Sequence, residues 1–413
     1  MKLVPVLLLL MVASAAYGTI FGNGVKFVQD LAGKLRRRNY KDFQRKLSPV
    51  IFVPGDGGSQ MDAIINKVDT VHFFCQKSTD TYFNLWLNKE LLVPFVIDCW
   101  IDNMRLVYNS TTRKTENAPG VTTRIPGFGS SEPVEWIDPS HASVGAYFVN
   151  IGNALVQNGY KRDVSIRGAP YDFRKGPSEN KEWFIKVKHL VEETYTINDD
   201  QPITFIVHSM GAPMTLLFLQ MQSQEWKDKH IKRVISLAGA WGDDLGAFAL
   251  SGKVMRAEQI TNPSLAWLMP NPMIWKPNEV MVRTLSRVYT MDQMEDFFKD
   301  INFNDGWEMR KDSLPYAMNF TAPGVEIYCL YGTGIDTVEN LNYEKTYDLS
   351  GKPTLVMGDG DGTVNRRSLE ACQYWNGQQK QPVHLQEFPG ADHMQILANL
   401  AVMDRIVKVL LFE

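Results

Sequence analysis

Residues 203–219 read Ile203-Thr204-Phe205-Ile206-Val207-His208-Ser209-Met210-Gly211-Ala212-Pro213-Met214-Thr215-Leu216-Leu217-Phe218-Leu219. A β-favouring apolar run ends at Val207, and a helix-forming apolar run starts at Ala212. This change predicts a buried strand, a sharp turn and a helix, with Ser209 at the turn. At such an elbow the apex residue takes a strained backbone conformation, and small neighbours let strand and helix approach. The motif here is Val207-x-Ser209-x-Gly211, which lacks the first glycine of G-x-S-x-G. On these residues alone, a serine that simply caps a helix fits as well.

A serine hydroxyl becomes a useful nucleophile when a base takes its proton and an acid orients that base. In a strand–elbow–helix setting the acid and the histidine follow the serine in that order, each after a later strand. After Leu355-Val356-Met357 comes Gly358-Asp359-Gly360-Asp361-Gly362-Thr363-Val364, and after the run 383–388 comes Pro389-Gly390-Ala391-Asp392-His393-Met394. Of seven histidines, only His393 lies between a late strand and the final helix. Asp361 is favoured over Asp359 as the acid. A calcium loop is the other reading of this stretch, but it lacks the further oxygen ligands and closing glutamate of an EF-hand. An oxyanion needs backbone N–H donors, one from the residue after the nucleophile and one from the loop after an early strand. Met210 is the first, and Asp56 in Pro54-Gly55-Asp56-Gly57-Gly58-Ser59 is the second.

Around these loops, strands are predicted at 49–53, 163–167, 203–207, 233–237, 325–331, 354–357 and 383–388, with helices at 142–158, 181–195, 212–222 and 398–411. Alternation of this kind predicts an α/β-hydrolase core, a mostly parallel sheet flanked by helices, spanning 47–413. The stretches between Gly55 and Arg162 and between Ala238 and Gly324 are too long for turns. They read as insertions: a small subdomain at about 65–105 and cap or lid segments at about 106–160 and 240–324. Residues 241–283, with Trp267-Leu268-Met269-Pro270, read as a mobile lid.

The 413 residues carry a net charge of -3, which excludes nucleic acid as a partner. Lys2, the apolar run 3–12 and the small residues through Gly18 predict a cleaved signal peptide over 1–18, followed by an N-terminal segment 19–46 with a basic run. An oxidising lumen suits an even number of cysteines, Cys75, Cys99, Cys329 and Cys372. Three pairings are possible; Cys75 with Cys99 closes the shortest loop, and Cys329 with Cys372 then follows. Sequons at Asn109 and Asn319 agree with this compartment, while Asn262-Pro263-Ser264 is excluded by its proline.

Taken together, several motifs resemble the lecithin:cholesterol acyltransferase family from about Leu47 to the C-terminus. They are Phe52-Val53-Pro54-Gly55-Asp56, Leu85-Trp86-Leu87-Asn88, Ile97 to Asn103, Gly168 to Arg174, Ala240-Trp241-Gly242, Cys329 to Gly334 and Gly358 to Val364. The resemblance implies a hydrolase core with a cap and a membrane-binding subdomain tethered by a disulfide matching Cys75 with Cys99. It also implies transfer of a fatty acyl chain from a glycerophospholipid to the serine, then to water or a lipid alcohol such as ceramide. It places the triad on Ser209, Asp361 and His393 and the oxyanion donors on Asp56 and Met210. Two departures are Val207, where the family has a small residue, and Gly57-Gly58-Ser59, where it is bulkier.

Cholesterol-esterifying relatives of circulating lipoproteins carry cysteine at the position of Asp56, so the resemblance points to the family's lysosomal branch. An ionised carboxylate beside a developing oxyanion repels it and a protonated one does not, so activity is expected to favour acid pH. Within the Cys75–Cys99 loop, Trp86, Leu87, Leu91 and Leu92 are expected to touch the membrane, and Phe95 and Val96 to pack inward. A monomer in the lysosome lumen or secreted, needing no cofactor and no metal, is expected. The alternatives are a sterol O-acyltransferase of extracellular lipoproteins and a catalytically dead lipid-binding protein.

Overall fold

A computed structural model describes residues 47–242, 252–343, 349 and 352–413. The expected signal peptide, the segment 19–46 and part of the expected lid, 243–251, lie outside the described residues. Ser48–Glu413 forms a unit of its own.

Runs of consecutive apolar residues suit strands covered on both faces, as in the middle of the sheet, whereas the edge strand Val383–Pro389 mixes polar and apolar residues and is only partly buried. The strands are β1 (Val50–Val53), β2 (Ile166–Gly168), β3 (Ile203–His208), β4 (Ile231–Leu237), β5 (Glu326–Thr333) and β6 (Val383–Pro389). Every residue of β1 and β3 is buried. The six pair in parallel in the order β6-β5-β4-β3-β1-β2. From β1 the chain moves to one side for β2 and returns to the other for β3. Such a reversal opens a crevice beyond the C-terminal strand ends, where α/β proteins bind ligands. The loop 54–59 and Ser209 both follow strands at this point.

Helices Lys181–Ile197 and Gly211–Gln220 pack on β3, and the C-terminal helix Leu400–Phe412 packs against Val149–Gln157. Asn399 caps that last helix through bonds from the N–H groups of Ala401 and Val402, a contribution of about 1 kcal/mol. Among the described residues no helix is long and apolar enough to cross a membrane.

One predicted strand belongs elsewhere. Thr354–Gly360 pairs antiparallel with Ile335–Tyr343 in a separate four-stranded sheet with Val280–Thr284 and Val288–Thr290. Gly334, at φ 79°, turns the chain straight from β5 into Ile335. The apolar run Leu355-Val356-Met357 that suggested a central strand lies exposed at the sheet edge.

The stretch 106–160 also divides. Leu106–Asn109 and Lys114–Asn117 form a hairpin, Val121–Arg124 joins Met61–Ile65 and Phe83–Trp86 in a three-stranded sheet, and Val149–Gln157 supports the core.

Within the expected lid, residues 267–270 are buried. Arg310 donates to the carbonyls of Ala266, Trp267 and Pro270, and Trp267 Nε1 donates to Tyr316 O at 2.9 Å. A buried arginine requires such acceptors, and this stretch supplies three of them.

Candidate active site

Ser209 follows β3 with φ 52°, a left-handed conformation that a non-glycine residue adopts only when its surroundings enforce it. Its N–H donates to Leu237 O at 3.1 Å, and its carbonyl accepts from Ala212 and Ala240. Gly211 is required by space: a Cβ there would stand 2.5 Å from the carbonyl oxygens of Val53 and Pro54. A Cβ on Gly55 would meet the Ser209 Cβ at 2.6 Å, so the loop after β1 runs directly against the nucleophile. Val207, the departure in the motif, is fully buried in the sheet between Val53 and Ser236. The small Ser236 on the adjoining strand leaves it room.

His393 Nε2 lies 3.0 Å from Ser209 Oγ, and His393 Nδ1 lies 2.7 Å from Asp361 Oδ2. All three residues are buried. A carboxylate only accepts, so the proton sits on Nδ1 and the bare Nε2 accepts the serine hydroxyl. The other Asp361 oxygen receives the N–H groups of Thr363 and Val364 at 3.1 and 2.8 Å, and the backbone carbonyl receives His393 N–H at 2.9 Å. Close approach of the base loop to β5 depends on Gly332, where a Cβ would lie 1.8 Å from Ala391 O. Asp359 points elsewhere, accepting from Gly334 N–H at 2.7 Å and pairing with Arg366 at 3.1 Å. Of the two aspartates, only Asp361 reaches the histidine.

The loop 54–59 is pinned by aromatic side chains. Tyr171 donates to Pro54 O at 2.9 Å, Trp86 Nε1 donates to Gly57 O at 2.7 Å, and Gly55 N–H donates to the Tyr147 hydroxyl at 3.0 Å. Burial, with the Asp56 charge adding to it, holds the Tyr147 and Tyr171 hydroxyls above their ordinary range. Met210, buried, begins the helix after the elbow. Pro213 of that helix lines a small cavity together with Trp241, Trp267, Leu268, Met269 and Arg310. Met269 lines two further cavities within the cap.

Two disulfides link Cys75 to Cys99, with Cα atoms 5.5 Å apart, and Cys329 to Cys372. The residues expected at the membrane need correction. Leu87 is 7% exposed and its N–H donates to Ile137 O, so it is core. Trp86 turns inward to satisfy its indole N–H, its ring near Trp100 and Phe173 at 5.8 and 5.9 Å. Leu91 and Leu92 are half-buried in the short helix Lys89–Leu92. Phe95, expected inside, is 83% exposed, and Phe73 is 96% exposed; Val68, Val71, Phe74 and Val93 are exposed with them. Val96, also expected inside, is half-buried, so the clear reversals are Leu87 and Phe95.

Tyr147 was not singled out by sequence, since no local motif marks Gly145-Ala146-Tyr147-Phe148. Arg174 is another: wholly buried, it holds Asp172 at 2.8 Å and reaches Met104 O, Asn117 and Thr123, joining the core to the subdomain. Burial alone would raise the Asp172 carboxyl, but the Arg174 guanidinium offsets this and holds it below its ordinary value.

The family described as lecithin:cholesterol acyltransferase matches residues 82–400. The "Lysosomal phospholipase A and acyltransferase" of Homo sapiens is 43% identical over 375 residues, covering 88% of this chain and 90% of that protein. The "Phosphatidylcholine-sterol acyltransferase" of Gallus gallus is 41% identical over 367 residues, covering 86% and 88%. Among solved structures, a Bacillus licheniformis lipase aligns with a TM-score of 0.38 at 10% identity, covering 89% of this chain and 93% of that one.

Proposed function

The chain belongs to the lecithin:cholesterol acyltransferase family, and from that premise we propose that it is a serine-dependent phospholipase A and transacylase. It moves a fatty acyl chain from a membrane glycerophospholipid to water or to a lipid alcohol such as ceramide. The observation that carries this reading is the buried hydrogen-bonded series Ser209, His393 and Asp361.

His393 Nε2 takes the Ser209 proton as Oγ attacks the ester carbonyl. Asp361 holds the imidazole and stabilises the imidazolium that forms. The tetrahedral oxyanion is received by the backbone N–H groups of Met210 and Asp56. Collapse expels the lysolipid alkoxide, which takes the proton back from His393 and leaves an acyl-Ser209 ester. Water or the acceptor hydroxyl then gives its proton to His393, attacks that ester and regenerates the serine. The cavities around Met269 suit the apolar acyl chain.

Supply of phospholipid is assigned to the outward apolar set Val68, Val71, Phe73, Phe74, Val93 and Phe95, a surface that suits a bilayer interface. The names of the relatives support a lysosomal setting. Paired cysteines and the sequons Asn109 and Asn319 fit passage through an oxidising lumen.

The test is incubation of the pure protein with phospholipid vesicles, with ceramide or cholesterol added, at acid and neutral pH. Free fatty acid and acylated ceramide are expected, with most turnover at acid pH. Preferential formation of cholesteryl ester replaces the reading with the sterol transferase. Release of no fatty acid and acylation of no acceptor overturns it.

A further inference from the structure

His208 precedes the nucleophile, and both of its ring nitrogens are engaged inside the protein. Nε2 lies 2.9 Å from the backbone carbonyl oxygen of His393, and Nδ1 lies 2.5 Å from the Tyr147 hydroxyl. That hydroxyl is also 3.0 Å from the N–H of Gly55. His208 and Tyr147 are both buried.

Counting protons fixes the direction of each bond. The carbonyl only accepts, so Nε2 carries the hydrogen. In a neutral imidazole Nδ1 is then bare, and the Tyr147 hydroxyl donates to it. A lone pair on the same phenolic oxygen remains to accept Gly55 N–H. The chain of bonds therefore runs Gly55 N–H to Tyr147 O–H to His208 to the His393 carbonyl. One end is the residue before Asp56 in the oxyanion loop, and the other is the backbone of the base.

We propose that Tyr147 and His208 are positioning residues that set the oxyanion loop and the base at a fixed spacing across Ser209. The proposal rests on the serine-hydrolase reading above and deepens it. Neighbouring packing leaves the two rings little freedom. Phe148, next in sequence, stacks on Phe52 of β1 at 4.6 Å, and a Cβ on Gly58 would stand 2.7 Å from the Tyr147 ring. Gly58, part of one of the departures from the family pattern, leaves room for this ring, while Gly57 faces Trp86.

Neutrality of His208 also matters for the chemistry. Its ring centroid is 4.9 Å from that of His393, which becomes a cation in each half-reaction. Burial, then the His393 charge, hold the His208 imidazole well below its ordinary value. It remains an uncharged link in an acidic compartment, where a free histidine would be a second cation beside the first.

The test uses the full chain and a soluble p-nitrophenyl ester, which needs no lipid surface, with intact sites counted by stoichiometric fluorophosphonate labelling of Ser209. Tyr147→Phe is expected to lower kcat per labelled site roughly 10- to 100-fold with KM within about twofold, as misplacement of groups that act in the transition state does. His208→Gln keeps one donor and one acceptor, so its kcat per site lies above that of His208→Ala. A kcat per labelled site within about twofold of wild type in Tyr147→Phe overturns the proposal. Equal losses in His208→Gln and His208→Ala also overturn it, and that pair decides alone if Tyr147→Phe does not fold. Wild-type protein that neither takes the label nor cleaves the ester defeats the hydrolase reading itself, a different failure from an active wild type with indifferent variants.

Discussion

The elbow around Ser209 and the segment around the Cys75–Cys99 disulfide use apolar residues in opposite ways. At the elbow, apolar strands bury polar side chains, and those of Ser209, His208, His393 and Asp361 have directed partners. Around the disulfide, apolar side chains such as Phe73 and Phe95 face outward while polar atoms and the Trp86 indole turn in. Buried polar groups and exposed apolar groups are the informative exceptions in a folded chain; one kind gathers around Ser209, and the other lies around the disulfide, where the proposed function puts contact with lipid. The sharpest way to break the comparison is to remove the chemistry alone. Asp361→Asn is expected to lower kcat on the order of 10⁴-fold, on soluble ester and on vesicles alike. A variant that lost only vesicle activity would show that the two regions are not separate in function.

Next in size is the converse change. Exchange of Phe73 and Phe95 for serine is expected to reduce vesicle turnover roughly tenfold or more, since partial burial of each ring in lipid contributes on the order of 1–2 kcal/mol. Soluble-ester kinetics and Tm stay at wild-type values. Leu87→Ala does the reverse: as a core truncation it costs about 2–4 kcal/mol of stability, read as a lower Tm, while lipid binding of the folded fraction is unchanged. Equal effects of the two changes on vesicle binding would return Leu87 to the membrane face.

A smaller effect is expected inside the elbow region itself. Asp56 faces Tyr147 and Tyr171, whose hydroxyls its charge disfavours in the ionised form. The same charge opposes an oxyanion held at its own N–H. Asp56→Asn should raise the ratio of activity at neutral pH to that at acid pH several-fold. An unchanged pH–activity profile sinks this account.

The two regions also differ in how far they could be read in advance. Ser209, His393 and Asp361 are announced by local patterns, a strand followed by a glycine-bearing turn, because the backbone strain and close approaches at those turns restrict the residue types. The inner strands are legible for a related reason, since burial on both faces leaves continuous apolar runs such as Val50–Val53 and Ile203–Val207. Leu355-Val356-Met357 misleads because an edge strand can carry the same residues exposed. In the disulfide segment, placement is decided by long-range partners: Gly57 O for the Trp86 indole and Ile137 O for the Leu87 amide. Tyr147 is hidden in the same way, 61 positions from the histidine it meets. No periodicity encodes such pairings.

Between the two regions lies Glu258, on the helix Gly252–Gln259 that packs against the disulfide-bearing helix Ile97–Met104. Its carboxyl is buried, accepts from Asn262 Nδ2 at 3.0 Å and senses Arg174 and Asp172. Burial pushes it up to about 7. Because the folded value lies above the unfolded one, the folded chain retains a proton that the unfolded chain has lost between about pH 4.5 and 7. Stability from this group is therefore full below pH 4.5 and is lost as pH rises through 7. The displacement sets a ceiling of about 3 kcal/mol, and a shift of a few degrees in Tm is the expected reading. Glu258→Gln has no proton to lose. Its Tm should match wild type at pH 4.5 and exceed it at pH 7.5, which would place the pH sensitivity at the seam between elbow and disulfide segment. Parallel Tm curves for the two proteins would assign that sensitivity to one region or the other.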